Sequence, residues 1–573
     1  MKKLIDYFYN KKVQTYIFVI IISFVVIYGY FYPLLKYPYE APNPWPEAYT
    51  VIQDEIIAQG KVPPSAVPQF GEWGKSDMTY FLNHHLMLVS QRLIGDLPPE
   101  LIERFLSFAL TFIIFLSAWL FFRYLFGNTM GFLASILFVF LPRNFNYYVN
   151  INGEYLSFII IFLALYFWFC FKKEKKLLFL ILAGMFGGVL PILCLITFGV
   201  FVLILISDAM AEIIAKKKRF KIFKKNFFSL LVIVVITLII SLIPLLITKN
   251  IKAGGSSSIG SIFSQRSSQE IEFEKKYYQD FAVYGDEFIN FPPFVRDIYY
   301  LSLDASVLDY LMLIYLPLFF AGLIFTLIIR KKRIIILGPI LLIILLLFEI
   351  FLYSHFFNLS VYNSALRFLF YFSLPLIIIS TFSLAWLCFK NAYALPIFIL
   401  TIIISAIPII RLSAWSTNMN PPLYAKPFKE TLLWLKENTP PDAMVISNDW
   451  VNGQFWVKAK RLNLIEGGKA SATYSTYEDI YHKLNDSRKI FRLDISNDET
   501  MRLIRERKIE YLVVWDRPSA YYIYPFLPAK QKMDELGLQK VFESQEKITN
   551  PETKAIFDAE SIIYSVNVSQ PAQ

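Results

Sequence analysis

The residues able to do chemistry stand at the edges of the apolar runs in this chain. Glu40, Glu47, Asp54 and Glu55 fall in "YPYEAPNPWPEAYTVIQDEIIAQGKVPP", directly after the first apolar segment. Glu47 precedes Asp54 and Glu55 by seven and eight residues, two helical turns, so the three could share one helix face. For Asp54 and Glu55 that face is expected to be a solvated one. Glu40 and Glu47 differ because they flank "APNPWP", whose prolines fix the backbone.

Glu154 follows an apolar run in "NYYVNINGEYLSF", where a carboxylate either satisfies a helix dipole or takes part in a site. Arg367, in "NSALRFLFYFSLPL", can snorkel to lipid headgroups or grip a phosphate through two parallel hydrogen bonds. Glu349, in "LLLFEIFLY", is ionisable within an apolar run and has Arg367 as its natural partner; a structural pair is the expectation for it. His84 and His85 are adjacent, so on a helix they diverge by about 100° and suit joint metal ligation poorly. No phosphate-cradling Gly-rich loop, Gly-x-Ser-x-Gly or Cys/His metal spacing occurs.

These residues need a scaffold, and the composition identifies it. The chain has 573 residues, is 56% hydrophobic and carries 55 Phe and 35 Tyr, more apolar surface than a soluble protein can hide. Runs such as "YIFVIIISFVVIYGYFY" and "IIILGPILLIILLLFEIFLY" approach the roughly 20 residues of a membrane crossing. The expected fold is an α-helical polytopic membrane protein. Its first segment is long and has no small-residue cleavage site, so it reads as a permanent span.

Spans are expected at about 14–33, 104–124, 129–146, 154–171, 177–192, 194–212, 227–248, 311–329, 334–353, 365–386 and 394–411. The stretch 177–212 reads either as two short spans around Pro191 or as one long bent element. With the N-terminus inside, about eleven crossings place the basic segments "KKEKK", "KKKRFKIFKK" and "RKKR" in the cytoplasm. The net charge of +11 is therefore positive-inside bias, and no nucleic-acid partner is expected.

External segments follow at 34–103, 249–310 and 412–573, with residues 1–411 forming the transmembrane domain. The second opens with the Gly/Ser-rich "AGGSSSIGSIFSQRSSQE", expected to be mobile. In the tail, "KPFKETLLWLKENTPPDA" reads as an amphipathic helix stopped by Pro-Pro, and "DETMRLIRERK" as a charged helix. "AMVIS", "IEYLVVW" and "IIYSVNV" read as buried strands, which together make a C-terminal extracytoplasmic α/β domain. Cys170, Cys194 and Cys388 lie in apolar spans, so packing alone must hold the external parts, and a prokaryotic plasma membrane is the expected location.

Four features come in order along the chain: the acidic loop ending in "GKVP", "YLFGNTMGFLASILFVFLPRNFNYYVNINGEYLSFIIIFLALYFW", "LRFLFYFSLPL" and "LLWLKENTPPDAMVISNDWVNGQFW". This order resembles the GT-C superfamily of polytopic glycosyltransferases, which use polyprenyl- or dolichyl-phosphate-linked sugars. Within it, the motifs are most similar to those of oligosaccharyltransferase catalytic subunits. "NPWPEAY" stands where those enzymes carry an Asp-Pro-Trp/Tyr-Phe-Asn-type motif, and "SSQE" (Ser267–Glu270) resembles their Ser-x-x-Glu element.

The resemblance implies a sugar transfer on the extracytoplasmic side, from a lipid-phosphate donor in the bilayer to a glycan, lipid or protein acceptor. It makes Glu47 and Glu40 the candidate bases, Glu154 the acceptor orienter or metal ligand, and Arg367 the lipid-phosphate contact. Glu270, Asp449 and Trp450 become candidate acceptor or loop contacts. A divalent cation (Mg or Mn) would require Glu154 and Glu270 to converge with a first-loop acid. Two departures count against N-glycosylation: Asn43 replaces the first-loop Asp, and "SNDWVNGQFW" only echoes Trp-Trp-Asp-x-Gly. The competing readings are a lipid-linked glycan transporter or flippase, which would need Glu349 and Arg367, and a catalytically inactive scaffold.

Overall fold

The computed structural model describes residues 99–139, 155–193, 195–215, 219–247, 319–324, 333–355, 374–381, 426–448, 459–464, 477–516, 524–549 and 556–566, with isolated positions elsewhere. The chain divides into two compact units that interleave in sequence. One comprises 1–38, 104–265 and 291–415; the other comprises 39–103, 266–290 and 416–573. The segments 39–103 and 266–290 thus group with the tail.

The first unit is helical. Its described helices include α1 (Pro99–Phe126), α2 (Asn128–Val139), α3 (Tyr155–Glu174), α4 (Leu177–Leu193), α5 (Leu195–Ala215), α6 (Arg219–Ile247) and α7 (Arg333–His355). Among the described residues, Leu156–Glu174 and Thr197–Ala215 are long and apolar enough to cross a membrane. Aromatic rings fill the space between α1, α2 and α3: Phe138 meets Phe162 edge to face at 5.0 Å, and Phe122 lies 6.0 Å from Phe162. Such edge-to-face pairs add to the burial energy of the rings themselves.

Two ladders fix how four consecutive helices run. Along α3 and α5, Ser157 hydrogen-bonds Thr197 at 3.1 Å, Trp168 Nε1 donates to Asp208 Oδ2 at 2.9 Å, and Lys172 pairs with Glu212. Every rung joins residues forty positions apart, so α3 and α5 run parallel and in register. Along α4 and α6, Thr237 Oγ1 reaches Gly184 O at 3.4 Å and Ser241 Oγ donates to Gly188 O at 2.9 Å, each across fifty-three positions. Those two helices are parallel as well.

Gly184 and Gly188 sit one turn apart and bring the α4 and α6 backbones together. A Cβ on Gly184 would lie 2.9 Å from Ile236 Cβ, and one on Gly188 would lie 2.8 Å from Ile240 Cβ. This is the small-residue approach by which membrane helices pack closely, with hydroxyls bonding across the gap. At the α3–α4 corner Lys175 takes the left-handed φ of 60°, and its N–H caps Phe171 O at 2.9 Å. Over the stretch 177–212 the described helices are two, α4 and α5. Pro191 lies inside the end of α4 and does not itself mark the break.

The second unit contains a five-stranded sheet between helices. Its elements are α8 (Lys426–Asn438), β1 (Met444–Ser447), β2 (Leu462–Asn463), α9 (Tyr477–Phe491), α10 (Asn497–Glu506), β3 (Tyr511–Asp516), α11 (Phe526–Glu535), β4 (Gln539–Thr549) and β5 (Ile556–Ser565). The strand order is β2-β1-β3-β5-β4, with β1 parallel to β2 and β3, and β5 antiparallel to β3 and β4.

Strand alternation divides the core between the two faces of the sheet. Val513, Trp515 and Ile563 face α8, where Phe428, Leu432 and Leu435 are buried. Leu512, Val514, Ile562 and Tyr564 join the opposite cluster with Ile490, Leu503, Ile504 and Met533. That second cluster also buries Ile56 and Val89, and Phe273 packs against it. Residues from the segments 39–103 and 266–290 thus contribute to the core of the α/β unit. The apolar surface that each removes from water stabilises the assembly.

Candidate functional site

Glu40, Asn43, Glu47, His84, His85, Glu154, Glu270, Arg367, Asp449 and Trp450 lie outside the described residues. Glu349 lies within α7. Its side chain, and so its expected pairing with Arg367, also lies outside them. The described residues show the frame on either side of several of these positions. Tyr155, which follows Glu154, is the first residue of α3. Asp449 and Trp450 follow Asn448 at the carboxyl end of β1, and in open α/β sheets ligands bind outside the carboxyl ends of parallel strands.

Asn448 is fully buried and locks that end of the sheet. Its Oδ1 accepts from the Trp515 N–H at 2.8 Å, while its Nδ2 donates to Trp515 O at 3.1 Å and Tyr524 O at 3.2 Å. Its own backbone N–H bonds Val513 O at 3.3 Å, and its carbonyl accepts from Tyr524 N–H at 3.0 Å. One amide thus ties β1, β3 and the segment before α11 together, immediately before the Asp449–Trp450 pair. Sequence reasoning missed it, although its position between the "MVIS" strand and "DW" was the available signal.

Asp516 ends β3 and is paired in register with Glu560 of β5. Burial pushes its carboxyl above the usual range, and the negative charges of Glu560 and Asp558 push it further. Lys530 of α11 bonds Glu560 Oε1 at 2.5 Å and partly offsets this. A carboxyl group held this way retains its proton to higher pH than an exposed one and can donate a hydrogen bond.

At the opposite end of the parallel strands, the turn before β2 meets the first-loop segment. Residues 53, 54 and 56–58 are helical. Gln53 and Ile56 are buried, and Asp54 Oδ2 lies 2.9 Å from Lys460 Nζ. Asp54 therefore differs from the solvated residue expected. Ile56 and Ile57 pack into the α/β core, and the nearby Asp54 carboxylate is set against a lysine. Lys460 has a left-handed φ of 54°. The next residue, Arg461, is 4% exposed and binds the end of α8: Nε to Thr439 Oγ1 at 2.5 Å and Nη2 to Lys436 O at 2.8 Å. Its Nη1 also holds Lys460 O at 2.9 Å.

Among the described residues no group of three or more His, Cys, Asp or Glu is placed to hold a metal ion. The carboxylates named for such an ion, Glu154 and Glu270, lie outside those residues.

No protein-family model matches the sequence, and no curated protein matches it. Solved structures do. The archaeal oligosaccharyltransferase AglB from Archaeoglobus fulgidus, in complex with an inhibitory peptide and a dolichol-phosphate, superposes with a TM-score of 0.57 at 12% identity, over 98% of this chain and 75% of that one. ArnT from Cupriavidus metallidurans, bound to undecaprenyl phosphate, superposes with a TM-score of 0.50 at 10% identity, over 98% of this chain and 99% of that one. The chain has the GT-C fold. The arabinofuranosyltransferase AftD from Mycobacteria also matches it, with a TM-score of 0.51 at 12% identity, over 90% of this chain and 41% of AftD. A GT-C fold is that of a helical integral membrane protein. At these identities the likeness is one of fold.

Proposed function

We propose that this chain is a GT-C glycosyltransferase, which moves a sugar from a polyprenyl- or dolichyl-phosphate donor to an acceptor hydroxyl on the extracytoplasmic side. The observation that carries this reading is a fold shared over nearly the whole chain with AglB and ArnT, whose structures hold a dolichol-phosphate and undecaprenyl phosphate. In the same reading, residues 1–411 supply the spans and the segment 412–573 is extracytoplasmic.

The reaction needs two groups at headgroup height. Glu47 or Glu40 takes the acceptor's hydroxyl proton while its oxygen attacks the anomeric carbon, a role typically worth about 10²–10⁴ in rate. The bond from that carbon to the phosphate oxygen breaks, and Arg367 stabilises the departing lipid phosphate. Glu154 orients the acceptor, and Glu270, Asp449 and Trp450 contact it. Asn43 cannot supply a base, which is why the neighbouring glutamates take this role. Glu154 and Glu270, together with a first-loop acid, would hold a divalent cation (Mg or Mn), which would supply charge stabilisation at the phosphate.

The test is sugar release from a panel of purified polyprenyl-phosphate sugars, with and without acceptor-rich membrane extract. Wild type is compared with Glu40→Gln, Glu47→Gln and Arg367→Ala, each checked for folding. Turnover that is lost in one Glu variant and in the Arg variant supports the reading and identifies the base. Donor binding without turnover in every protein sinks it and favours a scaffold, the second reading for which Asn43 speaks.

A further inference from the structure

We infer that Asp54 and Lys460 form a positioning clasp, which sets the acidic first-loop segment against the α/β unit; this rests on the transferase reading above. Three observations carry it. Asp54 Oδ2 and Lys460 Nζ stand 2.9 Å apart across 406 residues of sequence. The helical segment bearing Asp54 is anchored on its other side, where Gln53 and Ile56 are buried and Ile56 belongs to the α/β core. Lys460 is presented by a fixed turn. Its φ is left-handed, and Arg461 pins that turn to the last carbonyls of α8 through Lys436 O and to Thr439 Oγ1.

The direction of the consequence follows from chain length. Seven residues separate Glu47 from Asp54, so the proposed base lies within about 25 Å of the clasp even in a fully extended chain. Lys460 also leads directly into β2, which pairs with β1, the strand that delivers Asp449 and Trp450. The clasp therefore joins the segment carrying the proposed base to the strand pair carrying the proposed acceptor contacts. Asp54 is 18% exposed and Lys460 45% exposed, so the pair acts as a register pin, with most of the binding supplied by Ile56 and Val89. Neither residue touches the reacting atoms. Their loss should impair the use of acceptor and spare the attack of water on bound donor.

The experiment uses the full-length protein in detergent as Asp54→Lys, Lys460→Asp and the exchanged double variant. Two quantities should change, amide exchange over residues 50–60 and the amount of acceptor-rich membrane extract needed for half-maximal transfer, and a third, sugar release to water, is read as the control. Each single variant should raise both by about fivefold, the upper range for an exposed ion pair, with sugar release to water unchanged. The double variant should restore both. Wild-type exchange rates in both single variants, or a double variant no better than the singles, would overturn the clasp. Should wild type prove unable to process any donor, the transferase reading fails by itself. The exchange data then still decide whether the two residues position this segment.

Discussion

Trp168 donates its indole N–H to Asp208 across 2.9 Å, joining two helices that run in the same direction through the first unit. The same indole lies with its ring face 5.1 Å from Lys172 Nζ, and Lys172 in turn pairs with Glu212 and donates to Asn226 Oδ1 at 2.5 Å. Five polar or charged side chains are thereby buried where α3, α5 and α6 meet. The arrangement makes their charges mutually dependent.

Removing one member should therefore cost far more than removing two. Lys172→Met removes the lysine that pairs with buried Glu212 and should destabilise the protein by about 3–5 kcal/mol. Lys172→Met with Glu212→Leu should recover most of that loss. Thermal unfolding of the detergent-purified variants checks this, and equal losses in the single and double variants would contradict it.

The α4–α6 contact should be limited by shape more than by its hydrogen bonds. Gly188→Leu drives a side chain into Ile240 and the Thr237 backbone, so a loss of about 1–3 kcal/mol is expected. Ser241→Ala removes one interhelical bond, worth on average about 0.6 kcal/mol in a membrane bundle. Unfolding midpoints should rank the two variants in that order.

Asn448→Ala should loosen the carboxyl end of β1 and β3 together. It strips partners from the Trp515 N–H and carbonyl at once, at an expected cost of about 2–4 kcal/mol. Hydrogen exchange should report the loss first at residues 513–516, whereas faster exchange confined to α8 would count against the assignment.

Asp516 gives a pH dependence of defined sign. Its folded carboxyl titrates above the ordinary value of 3.8, so the folded state favours the protonated form. That contribution is fully present below the unfolded value and is lost as pH rises through the folded one. Asp516→Asn should therefore raise the unfolding midpoint at neutral pH, and the gain should shrink as pH falls through the carboxylate range. A gain that persists unchanged at acid pH would rule this out.

The parts of the fold that could be read from sequence are those where burial dictates residue type. "MVIS", "YLVVWD" and "IIYS" are central or near-central strands, and their apolar runs announce them. The edge strands gave little signal. β2 is two residues long, and β4, "QKVFESQEKIT", alternates polar side chains on an exposed margin. Around Pro191 the sequence is equally consistent with two short spans and one long bent element, and the rungs that tie α5 to α3 and α4 to α6 favour two helices. Lys460 and Arg461 carried no local signature. Lys460 meets Asp54 across 406 positions and Arg461 meets Thr439 and Lys436 across 22 and 25, and a single sequence does not display such pairings.

Because Ile56 and Val89 share a core with Tyr564 and Val566, the order of synthesis matters. The segment carrying Ile56 and Val89 is synthesised hundreds of residues before Tyr564 and Val566. At about 5–20 residues per second, the early segment must wait roughly half a minute or longer before its apolar face can be covered. Maturation of this unit is thus a late, post-insertion event. During that interval the surface of Ile56, Ile57 and Val89 is a natural client for a holdase or for the membrane surface itself.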